Sequence, residues 1–261
     1  MENIDTSVHP GETKQQYTER YRRELAVAGT ARTEKLASGK IPVMMDVDDF
    51  GFLLPGFDDL LHLKESLPDL KVTCFTIPMD SAFFHSKNAK HFKWKSYEKW
   101  ARIVNESGWI EIAFHGFAHV PNECAIDYDH AMTLLQASEN VFDRVGLKYT
   151  KVFKAPYWQY SYDFLVAARD RGYTIAIDRN HPRPVPEGLK TYIYNWSFEE
   201  ALPFADSIKG HGHFVGRNLN NISTSLNNIC KQLPASAKFE FVSNYLTDHD
   251  DTDIIRRQFA K

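Results

Sequence analysis

The sequence predicts an α/β fold in which a parallel sheet closes, or nearly closes, into a distorted (β/α)7–8 barrel. Short apolar segments alternate with amphipathic stretches roughly seven times, which is typical of parallel strands joined by crossover helices. The length of 261 residues favours one such barrel over an open doubly wound sheet. Ionisable side chains follow several apolar segments, and barrels of this kind carry reactive groups at the carboxyl ends of their strands.

Composition and charge argue against several classes of protein. The apolar and charged fractions, 43% and 25%, are ordinary for a globular domain, and the net charge of -3 gives no reason to expect a nucleic-acid partner. No apolar run approaches the roughly 20 residues of a membrane span, and residues 1–11 do not resemble a signal peptide. Three cysteines without a CxxC pair favour a reduced, cytoplasmic protein. The oligomeric state, including a homo-oligomer, is left open.

Two regions are predicted. Residues 1–40 are polar and charged and form an N-terminal helical or extended segment, with a helix over Gln15–Ala37. Residues 41–261 form a single barrel domain. Its clearest helices are Asp129–Val145 and the one that follows Ser161, a good N-cap residue. The predicted strands are Val43–Met45, Val72–Ile77, Trp109–Phe114, Lys151–Phe153, Tyr173–Ile177, Thr191–Tyr194, Asp206–Ile208 and Phe239–Val242.

The stretch Ile41–Gly51 begins as a buried strand and then delivers three acids, Asp46, Asp48 and Asp49. Neighbouring carboxylates repel one another and are costly to desolvate, so a bound metal ion is the simplest cation to offset them. The alternative is a solvated turn, for which Asp is a common residue. By strand alternation, we expect Asp46 to point to the other face and to have at most a supporting role.

Two histidines, His115 and His119, lie four residues apart directly after a predicted strand. On a helical turn this spacing places both imidazoles on one face, within reach of one ion. Two unrelated histidines are the alternative, because the chain has 11. Neutral imidazoles suit Zn²⁺, and one acid of the Asp48-Asp49 pair would complete a three-ligand site, with the other as general base.

Further polar and aromatic side chains follow later strands. The polar ones are Lys154, Asp178, His211 and His213. Each has a simpler alternative: Lys154 as a solvated strand end, Asp178 as half of an exposed ion pair, and the two histidines as a second metal pair. Trp158 is a candidate substrate-binding residue, because an aromatic face suits a sugar ring, although core packing explains it as well.

The candidate residues fall into five ordered motifs. They are Asp48-Asp49, His115-x3-His119, Lys154-Ala-Pro-Tyr157, Asp178 after a strand, and a histidine after Ile208. In order and spacing they resemble the motifs of the polysaccharide deacetylase family, carbohydrate esterase family 4. The resemblance runs from about Val43 to His213. It implies a metal-dependent hydrolase that removes an acyl group, above all N-acetyl, from an amino sugar or glycan.

The resemblance also implies a role for each matched position. Asp48 matches the general base, whereas Asp49, His115 and His119 match the ligands of a divalent metal ion, above all Zn²⁺. The expected partner is a carbohydrate or another small acylated molecule.

The later motifs imply the remaining roles. Lys154 stands where the family usually has an arginine that pairs with the acid matched by Asp178 and orients the base. His211 or His213 matches the general acid that protonates the leaving amine, with His211 the first choice. Tyr157 matches an aromatic residue in the substrate-binding region.

Three positions depart from the family pattern. Gly116 stands where Ser or Thr is favoured, so a hydrogen bond that braces the loop is expected to be missing. Lys154 cannot make the bidentate fork of an arginine. The first motif reads Val-Asp-Asp where Thr-Phe-Asp-Asp is usual. Two alternatives therefore stay open: a hydrolase of a non-glycan C–N bond, and a carbohydrate-binding relative without catalysis.

Overall fold

The computed structural model describes residues 7, 9, 11–54, 56–214 and 222–259, so residues 1–6, 8 and 10 of the predicted N-terminal segment lie outside it. The strands are β1 (Val43–Phe50), β2 (Val72–Thr76), β3 (Ile110–Phe114), β4 (Val152–Lys154), β5 (Thr174–Ile177), β6 (Lys190–Ile193), β7 (Trp196–Ser197), β8 (Ile208–His213) and β9 (Phe239–Glu240). The helices are α1 (Lys14–Ala37), α2 (Phe57–Ser66), α3 (Ser81–Phe84), α4 (Trp94–Ser107), α5 (Tyr128–Val145), α6 (Tyr162–Asp170), α7 (Ile222–Gln232), α8 (Val242–Asp248) and α9 (Thr252–Phe259). Within the described ranges, no helix is long and apolar enough to cross a membrane.

The strands form one parallel sheet. Its order is β6-β5-β4-β3-β2-β1-β8-β7, and β9 also pairs with β1. Strand β1 lies between β2 and β8, and all of its residues are buried. A parallel strand covered on both faces needs a continuous apolar run, which Val43–Met45 provides. The curled sheet with crossover helices confirms the predicted distorted (β/α) barrel.

Helices α5 and α6 show how local sequence fixes the outer layer. Asp127 and Ser161 cap the two helices by accepting hydrogen bonds from backbone N–H groups three residues later, and α5 ends at Gly146 in the left-handed conformation. The buried face of α5 includes Phe142, whose ring lies 4.9 Å from that of Phe114 on β3. Burying a side chain of this size stabilises the fold by about 1.5–3 kcal/mol. Both predicted helices are confirmed.

The N-terminal helix α1 begins with a capping box, in which Thr13 and Gln16 each accept from the other's backbone N–H. Arg32 on this helix donates to the carbonyl oxygen of Leu202 at 2.5 Å and lies over the Phe204 ring. The predicted helix is confirmed, whereas the domain division at residue 40 stays a prediction.

The interior of the curled sheet has an apolar floor and a polar upper level. The floor is a cluster of buried strand residues together with residues of α8. Its members are Met44, Phe75, Ala113, Val152, Ala176, Tyr192, Val242, Tyr245 and Leu246. Because α8 fills the amino end of the sheet, polar side chains at the carboxyl end face the open side.

Strand β8 extends to His213, whereas the sequence predicted a strand that ends at Ile208. In its Gly-His-Gly-His sequence, the glycines lie on one face of the strand and the histidines on the other. A Cβ on Gly210 would lie 2.7 Å from the Trp196 ring, and one on Gly212 would overlap Phe198. The glycines therefore let aromatic side chains from β7 and the residues after it pack against β8. The two-residue strand β7 carried no sequence signal.

Candidate active site

The predicted site residues converge at the carboxyl end of the sheet. Strands β1 and β8 pair in a register that sets Asp46 beside His211 and Asp48 beside His213. Lys154 is the last residue of β4, and its side chain is almost completely buried. The loop after β3 adds His115 and His119 from the opposite side. Two groups of side chains result, one on strands and one around this loop.

Asp49, His115 and His119 face one another across a gap that fits an ion. Asp49 Oδ1 lies 3.2 Å from His119 Nε2 and 3.7 Å from His115 Nε2, and all three ligand atoms fall within 4.8 Å. A tetrahedral Zn²⁺ site with bonds of about 2.0–2.2 Å holds its ligand atoms roughly 3.4 Å apart. The spacing suits such an ion without rearrangement of the backbone.

The electrostatics of these three residues also fit a cation. Asp49 Oδ1 is buried and accepts no hydrogen bond within the described part of the chain. Burial and the neighbouring Asp48 charge raise the pKa of Asp49 to about 7. Burial lowers the pKa of His115 to about 3, so its ring is neutral at physiological pH. An unsatisfied carboxylate beside a neutral imidazole is a donor set that a divalent ion would satisfy.

The orientation of His115 is fixed by a backbone carbonyl. Its Nδ1 lies 3.0 Å from the oxygen of Lys154. A carbonyl oxygen only accepts, so Nδ1 carries the proton and Nε2 presents its lone pair toward Asp49. Hydrogen bonds of this kind are common behind metal-binding histidines, because they fix the tautomer.

A break in β1 lets two adjacent acids enter the site. Neighbouring residues on a regular strand point to opposite faces. The register between β1 and β2 shifts between Val47 and Phe50, and Asp49 adopts a positive φ of 62°. This local turn brings the Asp49 carboxylate to the histidine loop while Asp48 stays inside the sheet.

The histidine loop is not the helical turn that the spacing predicted. Gly116 and His119 have positive φ values, 68° and 58°. The half-buried carboxylate of Glu123 accepts hydrogen bonds from the backbone N–H groups of Phe117 at 3.0 Å, Ala118 at 2.6 Å and His119 at 3.1 Å. Left-handed residues at positions 116 and 119 are incompatible with a right-handed helical turn, so the prediction of a helical turn was wrong.

Glu123 also explains Gly116. A Cβ at position 116 would overlap the Glu123 carboxylate and lie 2.6 Å from Pro156 Cγ. A serine or threonine therefore does not fit beside Glu123. The expectation that the loop lacks a bracing hydrogen bond was wrong. In this chain a glutamate braces the loop from outside.

The strand-borne group centres on Lys154. Its Nζ lies 2.5 Å from Asp46 Oδ1, 2.7 Å from Asp48 Oδ1 and 3.1 Å from His211 Nδ1. Burial alone would raise the pKa values of Asp46 and Asp48, but the Lys154 charge and the neighbouring histidines together outweigh it and lower both. Both carboxylates are therefore ionised at neutral pH.

Two expectations about this group were wrong. Asp46 does not point away from the site, because residues two apart on a strand share a face and Asp46 lies below Asp48. Lys154 does not pair with Asp178. That acid instead accepts from the Asn180 N–H at 3.0 Å, from His181 Nδ1 at 2.8 Å and from the Tyr194 hydroxyl at 3.1 Å. Asp178 therefore stabilises the loop after β5. Its carboxylate is bonded to these partners and not to Lys154.

The two histidines of β8 differ in their support. His211 Nδ1 lies 2.7 Å from Asp46 Oδ1. His213 Nδ1 is buried and has no hydrogen-bond partner in the described ranges, and burial lowers the pKa of His213 to about 4. Asp48, His211 and His213 also converge closely enough to hold a cation. The Lys154 ammonium beside Asp48 disfavours a second ion there.

The two aromatic candidates, Tyr157 and Trp158, differ in how exposed they are. Tyr157 is 47% exposed, and its ring centroid lies 5.0 Å from that of His119. Trp158 is half-buried, stacks on Tyr194 and meets His211 edge-on. Both Tyr157 and Trp158 adopt positive φ values, 56° and 58°, in the short turn after β4. Tyr157 is thus placed to meet a ligand, whereas Trp158 supports the wall.

Comparisons with known proteins identify the fold. No family profile and no curated protein matches the sequence. A solved peptidoglycan N-acetylglucosamine deacetylase matches with 17% identity and a TM-score of 0.52, over 85% of this chain and 99% of its own. A Mycobacterium smegmatis protein assigned as a polysaccharide deacetylase matches with 14% identity and a TM-score of 0.53, over 84% and 92%. A family 4 carbohydrate esterase pseudoenzyme from Bacillus anthracis matches with 12% identity and a TM-score of 0.50, over 80% and 65%.

At such low identity the likeness shows the fold alone. The chain has the fold of the family 4 carbohydrate esterases, which confirms at that level the resemblance that the motifs predicted. Because one neighbour is a pseudoenzyme, the fold by itself does not establish activity.

Sequence reasoning gave Asp46 too small a part and missed Glu123. The signal for Asp46 was its spacing of two from Asp48, which places both acids on one face of a strand. Glu123 carried no such signal, because it acts on backbone N–H groups that have no signature in the sequence.

Proposed function

We propose that this protein is a metal-dependent hydrolase that removes an N-acetyl group from an amino sugar or glycan. The observation that carries the proposal is the placement of Asp49, His115 and His119 around one gap, directly beside the ionised carboxylate of Asp48. A three-ligand site next to a fixed base is the arrangement that hydrolysis of an acyl bond requires.

Charge bookkeeping supports a single ion. Asp46, Asp48 and Asp49, once ionised, carry three negative charges, and Lys154 returns one positive charge. One divalent cation offsets the remaining two. The donor set of two imidazoles and one carboxylate favours Zn²⁺, which when bound would polarise the acyl carbonyl and acidify water.

Asp48 is the proposed general base. Its Oδ1 is held by Lys154, while Oδ2 lies 3.8 Å from His115 Nε2 and 3.6 Å from His213 Nε2. The free oxygen therefore points between the two groups of the site, where an attacking water would lie. The Lys154 charge keeps this carboxylate ionised and ready to accept the proton.

His211 is the proposed general acid. Its Nδ1 lies 2.7 Å from Asp46 Oδ1, and its Nε2 lies 4.0 Å from Asp48 Oδ2, on the side where it can pass a proton to the departing nitrogen. His213 has no such partner within the described chain, and burial disfavours its charged form. The support at Nδ1 therefore distinguishes two residues that the sequence left nearly equal.

The substrate and its location form part of the same proposal. Tyr157 at the rim offers an aromatic face to a sugar ring, and two of the structural neighbours are named for deacetylation of peptidoglycan or polysaccharide. An acylated amino sugar that reaches a cytoplasmic enzyme is accordingly the proposed ligand.

The direct test is release of acetate. Zinc-loaded protein should liberate acetate from N-acetylglucosamine oligomers, a chelator should abolish the release, and added Zn²⁺ should restore it. Parallel assays with O-acetylated sugars, N-formyl compounds and cyclic amides cover the alternative of a different acyl or C–N bond. No hydrolysis of any of these by protein that holds one zinc per chain would contradict the proposal and favour a binding protein instead.

Variants connect the test to the site. Asp49→Ala and His115→Ala should lose zinc and activity together. The matched control is His130→Ala, because His130 is exposed and, among the described residues, its ring bonds to Asp127 at the start of the same helix. Retention of a full zinc equivalent by His115→Ala would show that the ligands are assigned wrongly.

A further inference from the structure

Asp46 is a buried carboxylate to which none of the proposed steps gives a role. Its side chain is fully buried at the centre of β1, and its Oδ1 contacts both Lys154 Nζ and His211 Nδ1. The β1–β8 pairing sets Asp46 directly beside His211. The contact is therefore built into the sheet and does not depend on a loop.

The chemistry of these contacts fixes the tautomer of His211. Lys154 lowers the pKa of Asp46, so the carboxylate is ionised and can only accept. At 2.7 Å from Asp46 Oδ1, His211 Nδ1 must carry the proton and donate it. The Lys154 ammonium, which also only donates, is then a neighbouring charge at 3.1 Å and not a hydrogen-bond partner of the ring.

The other edge of the ring faces the reaction. His211 Nε2 lies 4.0 Å from Asp48 Oδ2, the oxygen that Lys154 leaves free. The His211 ring centroid lies 4.7 Å from that of Tyr194, in a tilted arrangement, and 5.7 Å from that of Trp158, in a T-shaped arrangement. With Nδ1 tied to Asp46, a rotation of the ring would cost this hydrogen bond, so Nε2 stays aimed at the base.

We propose that Asp46 is the positioning residue for His211: it holds the Nδ1–H tautomer and aims Nε2 at the reacting centre. The second function rests on the proposed hydrolysis, whereas the first does not. In that reaction the Nε2 proton passes to the nitrogen as the C–N bond breaks, His211 becomes neutral and Asp46 stays ionised throughout. The proton removed from water resides on Asp48.

Other groups around His211 do not take this part. The titratable and charged ones that face it are Asp46, Asp48, Lys154, Tyr194 and His213. Of these, Asp46 alone is an acceptor within hydrogen-bond distance of a ring nitrogen in the described structure. Asp178 reaches this region only through the hydroxyl of Tyr194.

The ring ¹⁵N signals of His211 test the link without any need for activity. In zinc-loaded protein with ¹⁵N-labelled histidine, His211 is assigned by its loss in His211→Gln. Asp46→Asn should weaken the fixed Nδ1–H signal of His211 and allow the Nε2–H tautomer to appear. The matched control is Asp251→Asn, which removes another buried carboxylate, bonded to Lys209 on the same strand as His211, and should leave the His211 ring signals unchanged.

Kinetics then test the role in proton transfer. An amide needs a proton on its leaving nitrogen, whereas an activated aryl acetate leaves without one. Asp46→Asn should therefore lower kcat about 100-fold on the N-acetyl amide and less than about threefold on the aryl acetate, with KM nearly unchanged and zinc retained. Asp46→Glu should not restore the amide rate, because the longer side chain cannot place its carboxylate at the same position beside His211 Nδ1.

The outcomes separate the two proposals. An unchanged His211 tautomer in folded, zinc-loaded Asp46→Asn overturns the assignment of Asp46, whatever the activity. Equal losses on amide and aryl ester also overturn it, because they indicate general disruption. If the wild type hydrolyses nothing but the tautomer changes as expected, the proposed function fails while the link between Asp46 and His211 stands.

Discussion

The site has two halves that are built in different ways. The strand half consists of Asp46, Asp48, Lys154 and His211, which lie on regular strands and contact one another by ion pairs and hydrogen bonds, although Asp46 Oδ2 has no hydrogen-bond partner among the described residues. The loop half consists of Asp49, His115, His119 and Glu123. It depends on left-handed backbone at three positions and contains a buried carboxylate oxygen without a donor in the described chain.

The difference shows which half contains its own cation. In the strand half Asp46 and Asp48 share the ammonium group of Lys154, so the acid-base group is organised by folding alone. In the loop half the unsatisfied Asp49 oxygen opposes the fold until a cation binds. Metal should therefore stabilise the loop half strongly and leave the strand half almost unaffected.

The largest expected effect comes from removal of the base in the strand half. Asp48→Asn should keep its zinc but lower kcat by about 10²–10⁴-fold, because the amide cannot accept the proton of the attacking water. Zinc analysis and initial rates on the same preparation measure both properties. Normal turnover by this variant would mean that another residue is the base.

A second change breaks the charge balance of the strand half. Lys154→Met leaves the buried carboxylates of Asp46 and Asp48 without their cation and should lower the free energy of unfolding by about 3–5 kcal/mol. Urea unfolding measures it, with Lys151→Met as the control, because that exposed lysine pairs loosely with Glu139 at 3.3 Å and should cost less than about 1 kcal/mol. Similar losses for both lysines would contradict the ion network.

In the metal-free protein, Asp49 of the loop half should make the free energy of unfolding depend on pH. An unfolded Asp ionises near pH 4, whereas the pKa of folded Asp49 is raised to about 7. Between these values the folded state binds the extra proton, so this group lowers the free energy of unfolding as pH rises from about 4 to 7.

Asp49→Asn removes that effect. In the presence of a chelator, the variant should gain on the wild type across the same window, by a few kcal/mol at pH 8. Added Zn²⁺ should reverse the order, because only the wild type binds it. A constant difference from pH 5 to pH 8 would show that Asp49 does not carry a raised pKa. Asp48, whose pKa is lowered, contributes only at more acidic pH.

The smallest expected effect concerns the brace of the loop half. Glu123→Gln loses the charge that accepts three backbone hydrogen bonds and should weaken zinc binding by about 10–100-fold, while kcat at saturating zinc changes little. Competition with a chelator measures the affinity, and Glu106→Gln, an exposed glutamate on α4, is the control. Unaltered affinity would mean that the loop keeps its shape without Glu123.

The two halves also differ in how far the sequence predicts them. The alternation of apolar and amphipathic segments was enough to predict the fold class. An apolar run followed by acids, and two histidines four apart, predicted a site of His115, His119 and one acid, and the family resemblance selected Asp49. The order of motifs indicated Lys154 and His211 but not their partners. Partners across a sheet depend on strand register, and the register of β1 and β8 was hidden because both strands were predicted too short.

The conformation of the histidine loop lay beyond sequence reasoning for another reason. A spacing of four suits a helical turn, but here a glutamate that follows the pair gathers the backbone N–H groups and enforces left-handed residues. Such side-chain competition for backbone donors is decided by tertiary packing, which a periodicity does not record.

The alternation of glycine and histidine along β8 has a consequence for how the barrel can vary. One face of β8 must lack side chains, because the rings of Trp196 and Phe198 pack there, and the other face must carry the imidazoles. Sliding this strand by a single position would drive imidazoles into the aromatic slots and leave the acids of β1 facing bare backbone. β8 therefore pairs with its neighbours in one register only. Substitutions around it must preserve both the space beside each glycine and the aromatic rings that fill that space.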